Sequence, residues 1–192
     1  MQTNTFFMMG RPGCGKGTQT KLLSEKLNAT VFSSGGRYRQ IAGEDNFIGH
    51  KIKGIIDSGE LTPSWFAAYL FTESILKLPS LETTIVYEGA GRKLEEAKRI
   101  DEILGWLTRP YAIIHLDVSE EEIRNRLQKR AELEGRKDDS EKSIEVRLKA
   151  YADDTEPSIE FFRSIGKVIE INGNQPEEAV FAEIQQKIAE LK

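Results

Sequence analysis

The sequence predicts a single α/β domain built around a covered parallel sheet. Three observations lead to this fold class: a length of 192 residues, a composition that is 39% hydrophobic and 30% charged, and short apolar runs alternating with longer stretches of helical period. The length suits one core but is short for two independent domains. Alternating strands and helices are typical of parallel sheets. We therefore expect one domain over residues 1–192.

Five segments have the β-branched, aromatic or apolar content of buried strands. They are residues 5–9, 30–32, 84–87, 112–118 and 168–171. Helical periodicity predicts helices at 16–27, 38–42, 49–57, 64–77, 95–107, 119–130, 140–162 with a break near Pro157, and 177–191. Residues 34–77 thus form a helical excursion between two strands, and residues 130–140 are expected to form an exposed, charged loop.

Charge and cysteine content exclude several kinds of partner. The chain has 27 basic and 31 acidic residues, so no global positive field would attract nucleic acid or an anionic membrane. The single cysteine, Cys14, cannot form an internal disulfide, and the apolar run at residues 6–9 is far too short to span a membrane. We expect a cytoplasmic protein in which any polyanion meets a local cluster of positive charge.

A glycine-rich segment directly follows the first predicted strand and opens the first helix. Residues 10–18 read GRPGCGKGT and fit the phosphate-loop pattern G-x-x-x-x-G-K. Glycines let consecutive backbone N–H groups point into one concavity, the helix N-terminus adds partial positive charge, and Lys16 supplies a full charge. The segment predicts a triphosphate site. The alternatives fit worse: a plain glycine-rich turn would not require this spacing, and the dinucleotide pattern G-x-G-x-x-G is not matched.

One position in the loop narrows the class of nucleotide-binding protein. The residue after Lys16, usually a magnesium-binding Ser or Thr, is Gly17, and Thr18 is displaced by one place. The chain also lacks the N-K-x-D element with which GTPases bind guanine, which disfavours a molecular switch.

The motif at residues 10–19 resembles the opening of adenylate kinase and its nucleoside monophosphate kinase relatives, and the resemblance continues to the end of the chain. SSGGRYR at 33–39 is similar to the family's monophosphate-binding segment, and GELTP at 59–63 resembles the turn against its ribose and base. EGAGR at 88–92 stands where the family has Asp-Gly-Phe-Pro-Arg, so only the glycine and arginine agree.

The resemblance implies a P-loop kinase fold with a five-stranded parallel sheet, a monophosphate-binding insertion at about 34–76 and a short lid at about 130–139. Its implied ATP-binding residues are Gly13, Cys14, Gly15, Lys16, Gly17, Thr18, Arg126 and Gln175. Its implied monophosphate-binding residues are Ser34, Arg39, Glu60, Leu61, Thr62, Gly89, Arg92, Glu96, Arg136 and Arg147. The implied catalytic residues are Lys16, Arg92, Arg130, Arg136 and Arg147.

Arginines supply the local cations that a net acidic chain would otherwise lack. Six of them match family positions: Arg39, Arg92, Arg126, Arg130, Arg136 and Arg147. Phosphoryl transfer needs such groups, because catalysis is mostly positioning and stabilisation of charge on the migrating phosphoryl oxygens. We expect the remaining arginines in charged stretches to be solvated, namely Arg99, Arg109, Arg124 and Arg163.

The sequence predicts Mg²⁺ that arrives with ATP and no zinc. Some relatives carry a long lid in which four cysteines hold zinc, whereas residues 130–147 contain neither cysteine nor histidine. Glu88 stands where the family's aspartate acts on magnesium, which predicts a water-mediated role. We expect His50 on the surface, and His115, Met8 and Met9 in the core.

The resemblance implies the reaction ATP + AMP = 2 ADP, in a monomer whose partners are small nucleotides. The acceptor base stays open, because Glu96 replaces the glutamine of adenylate-specific members. An ionised carboxylate only accepts hydrogen bonds and suits guanine, whereas a protonated one copies glutamine. The alternatives are GMP or another monophosphate, a small acceptor such as shikimate, or a non-catalytic nucleotide-binding regulator. The arginine set disfavours the regulator.

Overall fold

The computed structural model describes residues 2–134 and 141–191, and it confirms the predicted α/β class. Five parallel strands form one sheet in the order β2-β3-β1-β4-β5. They are β1 (Thr5–Gly10), β2 (Thr30–Ser33), β3 (Ile85–Glu88), β4 (Tyr111–Asp117) and β5 (Val168–Asn172). All five predicted strands are present, each within one residue of its predicted ends.

Helices connect the strands within the described ranges. They are α1 (Lys16–Leu27), α2 (Ser34–Ala42), α3 (Phe47–Ser58), α4 (Ser64–Leu76), α5 (Leu94–Trp106), α6 (Glu120–Glu134), α7 (Glu141–Ala150), α8 (Glu156–Ser164) and α9 (Glu177–Ala189). Residues Tyr151–Thr155 form one turn of π-helix between α7 and α8, here called the π segment.

Side chains of β1 alternate between two cores. Phe6 and Met8 pack with residues of α1, α6 and α9 on one face of the sheet. Phe7 and Met9 pack with residues of α4, α5 and α8 on the other. All six residues of β1 are buried, because helices cover both faces of the central strand. This explains why the strand is a continuous apolar run instead of an alternating one.

The inserted helices have a small core of their own. Ile41 of α2, Ile52 of α3 and Phe66 and Leu70 of α4 form a separate buried cluster. Within this insertion, α2 begins at Ser34, four residues before the predicted start at Tyr38. The Ser33 side chain accepts a hydrogen bond from the Gly36 N–H at 3.2 Å. This N-cap begins the helix despite the low helix propensity of the two glycines in its first turn.

The predicted loop at 130–140 is wrong in its first half, because α6 continues through residue 134. The remaining predicted lid residues, 135–139, lie outside the described residues. The helix break is also displaced from its predicted place. It is the π segment at 151–155, and Pro157, which has no N–H to donate, lies in the first turn of α8 directly after it.

Arg109 is a further correction, since it is not solvated. Its residue is only 4% exposed. Its guanidinium donates to Thr5 Oγ1 at 2.5 Å and to the carbonyl oxygens of Leu81 and Thr83. Arg99, Arg124 and Arg163 are partly exposed and pair with surface carboxylates, as expected of solvated arginines. No helix of the described ranges is long and apolar enough to cross a membrane.

Candidate active site

A cleft of about 580 Å³ opens at the carboxyl ends of the central strands. Parallel pairing sets Met8 beside Glu88, and Glu88 beside Ser33, so three strands end at one edge of the sheet. The phosphate loop follows β1 at this edge, and the insertion begins after β2. The wall opposite the insertion comes from α6, α7 and the π segment. Ligands of open α/β sheets bind in such crevices beyond the strands' carboxyl ends.

The glycines of the phosphate loop are required by its backbone. Gly10, Gly13 and Gly15 have φ angles of 139°, 82° and 98°. A Cβ at Gly10 would lie 2.6 Å from the Leu116 carbonyl oxygen, and one at Gly13 would lie 2.9 Å from the Leu127 side chain. No side chain caps α1, whose N-cap is Gly15. Its first N–H groups therefore face the cleft without a side-chain cap, which suits a phosphate.

The Lys16 side chain folds back onto the phosphate loop. Its Nζ donates to the carbonyl oxygens of Gly10 at 2.8 Å and Arg11 at 2.7 Å, and lies 3.5 Å from Cys14 Sγ. Burial lowers the pKa of the ammonium group, and the Arg92 charge lowers it further. A desolvated cation beside backbone N–H groups is a strong site for an anion, because it lacks competing hydration.

The carboxylate of Glu88 closes the loop side of the cleft. A Cβ at Gly17 would lie 3.7 Å from Glu88 Oε1, so the carboxylate faces the first turn of α1. No group of three or more His, Cys, Asp or Glu residues within the described ranges could hold a metal ion. The donors present, one carboxylate and the Thr18 hydroxyl, fit a hydrated Mg²⁺ held mainly by nucleotide phosphates. They do not resemble a closed protein cage.

The insertion forms the opposite end of the cleft, where Arg39 and Arg92 provide cations. A Cβ at Gly35 would lie 3.4 Å from Arg39 Nη1, so this guanidinium lies along the first turn of α2. The guanidinium of Arg92 folds over Gly89, where a Cβ would lie 2.6 Å from Arg92 Nη2. Two arginines from different elements thus face one end of the cleft.

Glu96 is a buried carboxyl group in this end of the cleft. It is 5% exposed, and its Oε2 accepts a hydrogen bond from the Arg92 backbone N–H at 2.9 Å. Burial raises its pKa to about 7, against an ordinary value of 4.5, although that hydrogen bond acts in the opposite direction. The protonated and ionised forms are therefore both populated near neutral pH.

Three further cations come from the wall opposite the insertion. Arg126 lines the cleft and donates to Glu122 Oε1 at 2.7 Å and to the Gly173 carbonyl at 3.0 Å. Arg130 and Arg147 also line the cleft. A Cβ at Gly59 would lie 3.5 Å from Arg147 Cγ, so α7 approaches the turn that precedes α4. Arg136, the remaining predicted arginine, lies outside the described residues.

The structure places most of the predicted binding residues in the cleft wall. Those that line it are Gly13, Gly15, Lys16, Gly17, Thr18, Arg39, Glu60, Leu61, Thr62, Glu88, Gly89, Arg92, Glu96, Arg126, Arg130 and Arg147. Cys14 and Ser34 are buried behind it. Gln175 is not among the lining residues; its amide donates to the Asn172 carbonyl and to Glu183 Oε2 at 2.7 Å. ATP binding by Cys14 and Gln175, and monophosphate binding by Ser34, stay predictions.

Two tyrosines of the cleft were not predicted. The Tyr38 hydroxyl accepts from Thr62 Oγ1 at 2.8 Å and so ties α2 to the turn before α4. Tyr151 begins the π segment, four residues after Arg147. That spacing puts both residues on one face of a helix. It is the sequence feature from which Tyr151 could have been predicted as a cleft residue. Tyr38 gave no such signal beyond its place beside Arg39.

Comparisons with known proteins agree with this geometry. A family model described as "Adenylate kinase" matches residues 8–167. An adenylate kinase of Cyanothece sp. is 35% identical over 186 residues, which cover 96% of this chain and 95% of that protein. An adenylate kinase of Thermus thermophilus is 30% identical over 178 residues, which cover 92% of each chain. Adenylate kinase isoenzyme 1 of Cyprinus carpio is 31% identical over 186 residues, which cover 97% and 94% respectively. The matched region contains the phosphate loop, the insertion and every cleft-lining arginine, and the chain belongs to the adenylate kinase family.

Proposed function

We propose that this protein is a nucleoside monophosphate kinase that catalyses ATP + AMP = 2 ADP. One observation carries the proposal: a single cleft has a phosphate loop on one side and arginines from α2, the β3–α5 loop, α6 and α7 around it. Two polyanions that react with each other need such a ring of cations, whereas a module that binds one nucleotide does not. Membership of the adenylate kinase family supports the same activity.

The phosphate loop and Lys16 bind the β and γ phosphates of ATP, and Arg39 and Arg92 hold the phosphate of the acceptor. An acceptor phosphate oxygen attacks the γ phosphorus, and the bond from that phosphorus to the β–γ bridging oxygen breaks. Arg130 and Arg147 gather over the transferring group together with Arg136. No general base is required, because the acceptor phosphate is already ionised near neutral pH.

Mg²⁺ bound with ATP supplies charge neutralisation at the triphosphate. Glu88 and Thr18 would hold its water shell. Closure of the insertion and the lid around both substrates excludes water, which limits wasteful hydrolysis of ATP. Zinc has no role in this proposal.

AMP is the preferred acceptor, and GMP is the second candidate because of Glu96. In its protonated form Glu96 donates one hydrogen bond and accepts another, which matches the mixed edge of adenine. In its ionised form it only accepts, which matches the N–H donors of guanine. We further infer that the enzyme acts as a monomer in the cytoplasm; the single cysteine and the net charge of −4 support this setting.

The direct test is a coupled assay with ATP and a panel of nucleoside monophosphates and shikimate. Lys16→Met should lower turnover by orders of magnitude, because it removes a charge that acts on the migrating phosphoryl group. Lys21→Met, an exposed position on the same helix, is the matched control. Full turnover by Lys16→Met would contradict the mechanism. Tight ATP binding without turnover of any acceptor would favour the regulatory alternative.

A further inference from the structure

Arg11 occupies the phosphate loop, but its side chain does not face the phosphates. It is absent from the lining of the active-site cleft and lines a second, more open cavity behind the loop. Its Nη1 donates to the Val118 carbonyl at 3.1 Å, and its Nη2 donates to Glu156 Oε1 at 3.1 Å. The loop is therefore tied to the chain after β4 and to the first residue of α8.

The same guanidinium also stacks on Tyr151. Its Cζ lies 5.0 Å from the centre of the Tyr151 ring, within the range of a cation–π contact. Tyr151 is 5% exposed, and its hydroxyl lies 3.2 Å from His115 Nε2. His115 Nδ1 in turn lies 2.6 Å from Glu170 Oε2. The ring is thus held between the phosphate loop on one side and β4 and β5 on the other.

Tyr151 follows α7 directly, and α7 carries Arg147. Position 147 is one helical turn before Tyr151, and both side chains line the cleft. Fixing the Tyr151 ring therefore fixes the end of the helix from which Arg147 projects. On the other side, the Arg11 carbonyl oxygen accepts a hydrogen bond from Lys16 Nζ at 2.7 Å. Arg11 therefore contacts Lys16 through its carbonyl oxygen and, through its guanidinium, the Tyr151 ring at the C-terminal end of α7.

We propose that Arg11 is a positioning residue that sets the placement of Arg147 relative to the phosphate loop. This inference rests on the proposed function for its kinetic consequence, but its structural consequence is independent of it. Arg11 does not line the cleft in which the substrates of the proposed reaction would bind. It acts through the Tyr151 ring, Glu156 and the Val118 carbonyl, which together need a planar, forked cation. A misplacement of about 1 Å in a group that acts on the transition state costs about a hundredfold in rate.

The kinetic test is a double-mutant cycle between Arg11→Met and Arg147→Ala. We expect Arg11→Met to lower kcat about tenfold or more while the KM for AMP changes by less than about threefold. In the Arg147→Ala background, Arg11→Met should change kcat by less than about threefold, because its target is gone. Arg11→Lys should restore kcat in part, since it keeps the charge for Glu156 but not the fork. Arg99→Met, which removes an exposed ion pair with Glu102, is the control.

The structural test is hydrogen exchange of residues 141–155 in Arg11→Met, Glu156→Gln and the Arg99→Met control. We expect at least about threefold faster exchange in α7 and the π segment of Arg11→Met, with unchanged exchange in the sheet. Glu156→Gln should give a smaller change in the same direction, which tests the idea even where Arg11→Met folds poorly.

Three outcomes would overturn the inference. They are unchanged exchange in residues 141–155, multiplicative effects of Arg11→Met and Arg147→Ala on kcat, and a lowered Tm with wild-type kcat. An inactive wild-type enzyme would instead contradict the proposed function, and the exchange experiment would still decide the role of Arg11.

Discussion

At the scale of single residues, Glu96 is the group whose chemistry depends most on its surroundings. The same side chain on the surface would be ionised throughout the physiological range and would only accept hydrogen bonds. At 5% exposure its pKa rises to about 7, so the residue presents either a donor and an acceptor or two acceptors. Under the proposed function, the protonation state of this buried carboxyl group would act on the choice of acceptor.

The first prediction concerns the acceptor base. Glu96→Gln should shift the ratio of kcat/KM for AMP over GMP toward AMP by up to about tenfold, because an amide always offers one donor and one acceptor. In the native protein the same ratio should be higher at pH 6 than at pH 8, as protonation is lost. Steady-state kinetics with both nucleotides measures it. A ratio unaffected by the exchange and by pH would show that Glu96 does not touch the base.

A second prediction concerns stability. A carboxyl group whose folded pKa is about 7 and whose ordinary value is 4.5 stabilises the fold fully below pH 4.5 and loses that contribution as pH rises through 7. Glu96→Gln removes this dependence, so its stability relative to wild type should rise from pH 5 to pH 8 by up to about 3 kcal/mol. Urea unfolding at the two pH values measures it. Glu95→Gln, on the exposed side of α5, should show no such change, and equal differences at both pH values would argue against the burial of Glu96.

At the scale of elements, hydrogen bonds made by residues between the strands help to hold the sheet together. Arg109 joins the start of β4 to Thr5 at the start of β1 and to the carbonyl oxygens of the loop that precedes β3. Its ligands are mostly backbone oxygens. Without the guanidinium the Thr83 carbonyl oxygen would lose this partner in a partly buried place, whereas the Leu81 carbonyl oxygen would keep its hydrogen bond from Asn4 Nδ2 at 2.7 Å.

We expect Arg109→Met to lower the free energy of unfolding by about 2–4 kcal/mol. The kcat at 25 °C should stay near the wild-type value, because Arg109 does not line the cleft. Chemical unfolding combined with the coupled assay separates the two effects. Arg99→Met provides the surface comparison, with an expected cost within about 0.5 kcal/mol. A variant as stable as wild type would show that the three bonds are dispensable.

We expect the proposed lid, at about 130–139, to need no structural metal. Residues 130–147 contain no cysteine or histidine, the ligands that a structural zinc site uses. The Tm of the apoprotein should therefore be the same with and without a strong chelator. Elemental analysis of purified protein provides the complementary measurement, and stoichiometric zinc would refute the expectation.

At the scale of the whole molecule, the parallel sheet brings distant parts of the sequence to one edge. The phosphate loop, the insertion, the β3–α5 loop and the wall of α6 and α7 meet in one cleft although they span residues 10–155. The net charge of −4 gives no sign of this concentration of arginines. A ligand that contacts all of these parts binds the folded chain and has no equivalent site in the unfolded one.

ADP occupies both nucleotide sites in the proposed reaction, so it should stabilise the fold. At one hundred times its Kd the free energy of unfolding should rise by about 2.7 kcal/mol for each site filled. Lys16→Met should show a smaller rise at the same ADP concentration, and Lys21→Met the same rise as wild type. Urea unfolding with and without ADP measures the difference. No rise at saturating ADP would contradict a nucleotide site in this cleft.

The sequence by itself determined the α/β class, the five strands and the phosphate loop. These features depend on local physics: apolar runs must be buried, and glycines with positive φ occur where the backbone must turn tightly against Leu116 and Leu127. Many of the cleft-lining residues were also predicted, most of them through short contiguous motifs that resemble those of the family, whereas Arg126, Arg130 and Arg147 were matched by their spacing. Helix ends near glycines or proline were placed less accurately, because capping by Ser33 and the π segment overrode local propensity.

Only the tertiary structure decided the state of individual charged groups. The local sequence around Arg109, Glu96 and Arg11 does not distinguish them from ordinary charged residues. In the structure Arg109 is buried and holds strands together, and Glu96 is a buried carboxyl group of raised pKa. Arg11 connects the phosphate loop to α8. Desolvation and the partners that satisfy a buried charge come from residues far apart in the chain. No local pattern contains that information, because it arises only when the sheet brings those residues together.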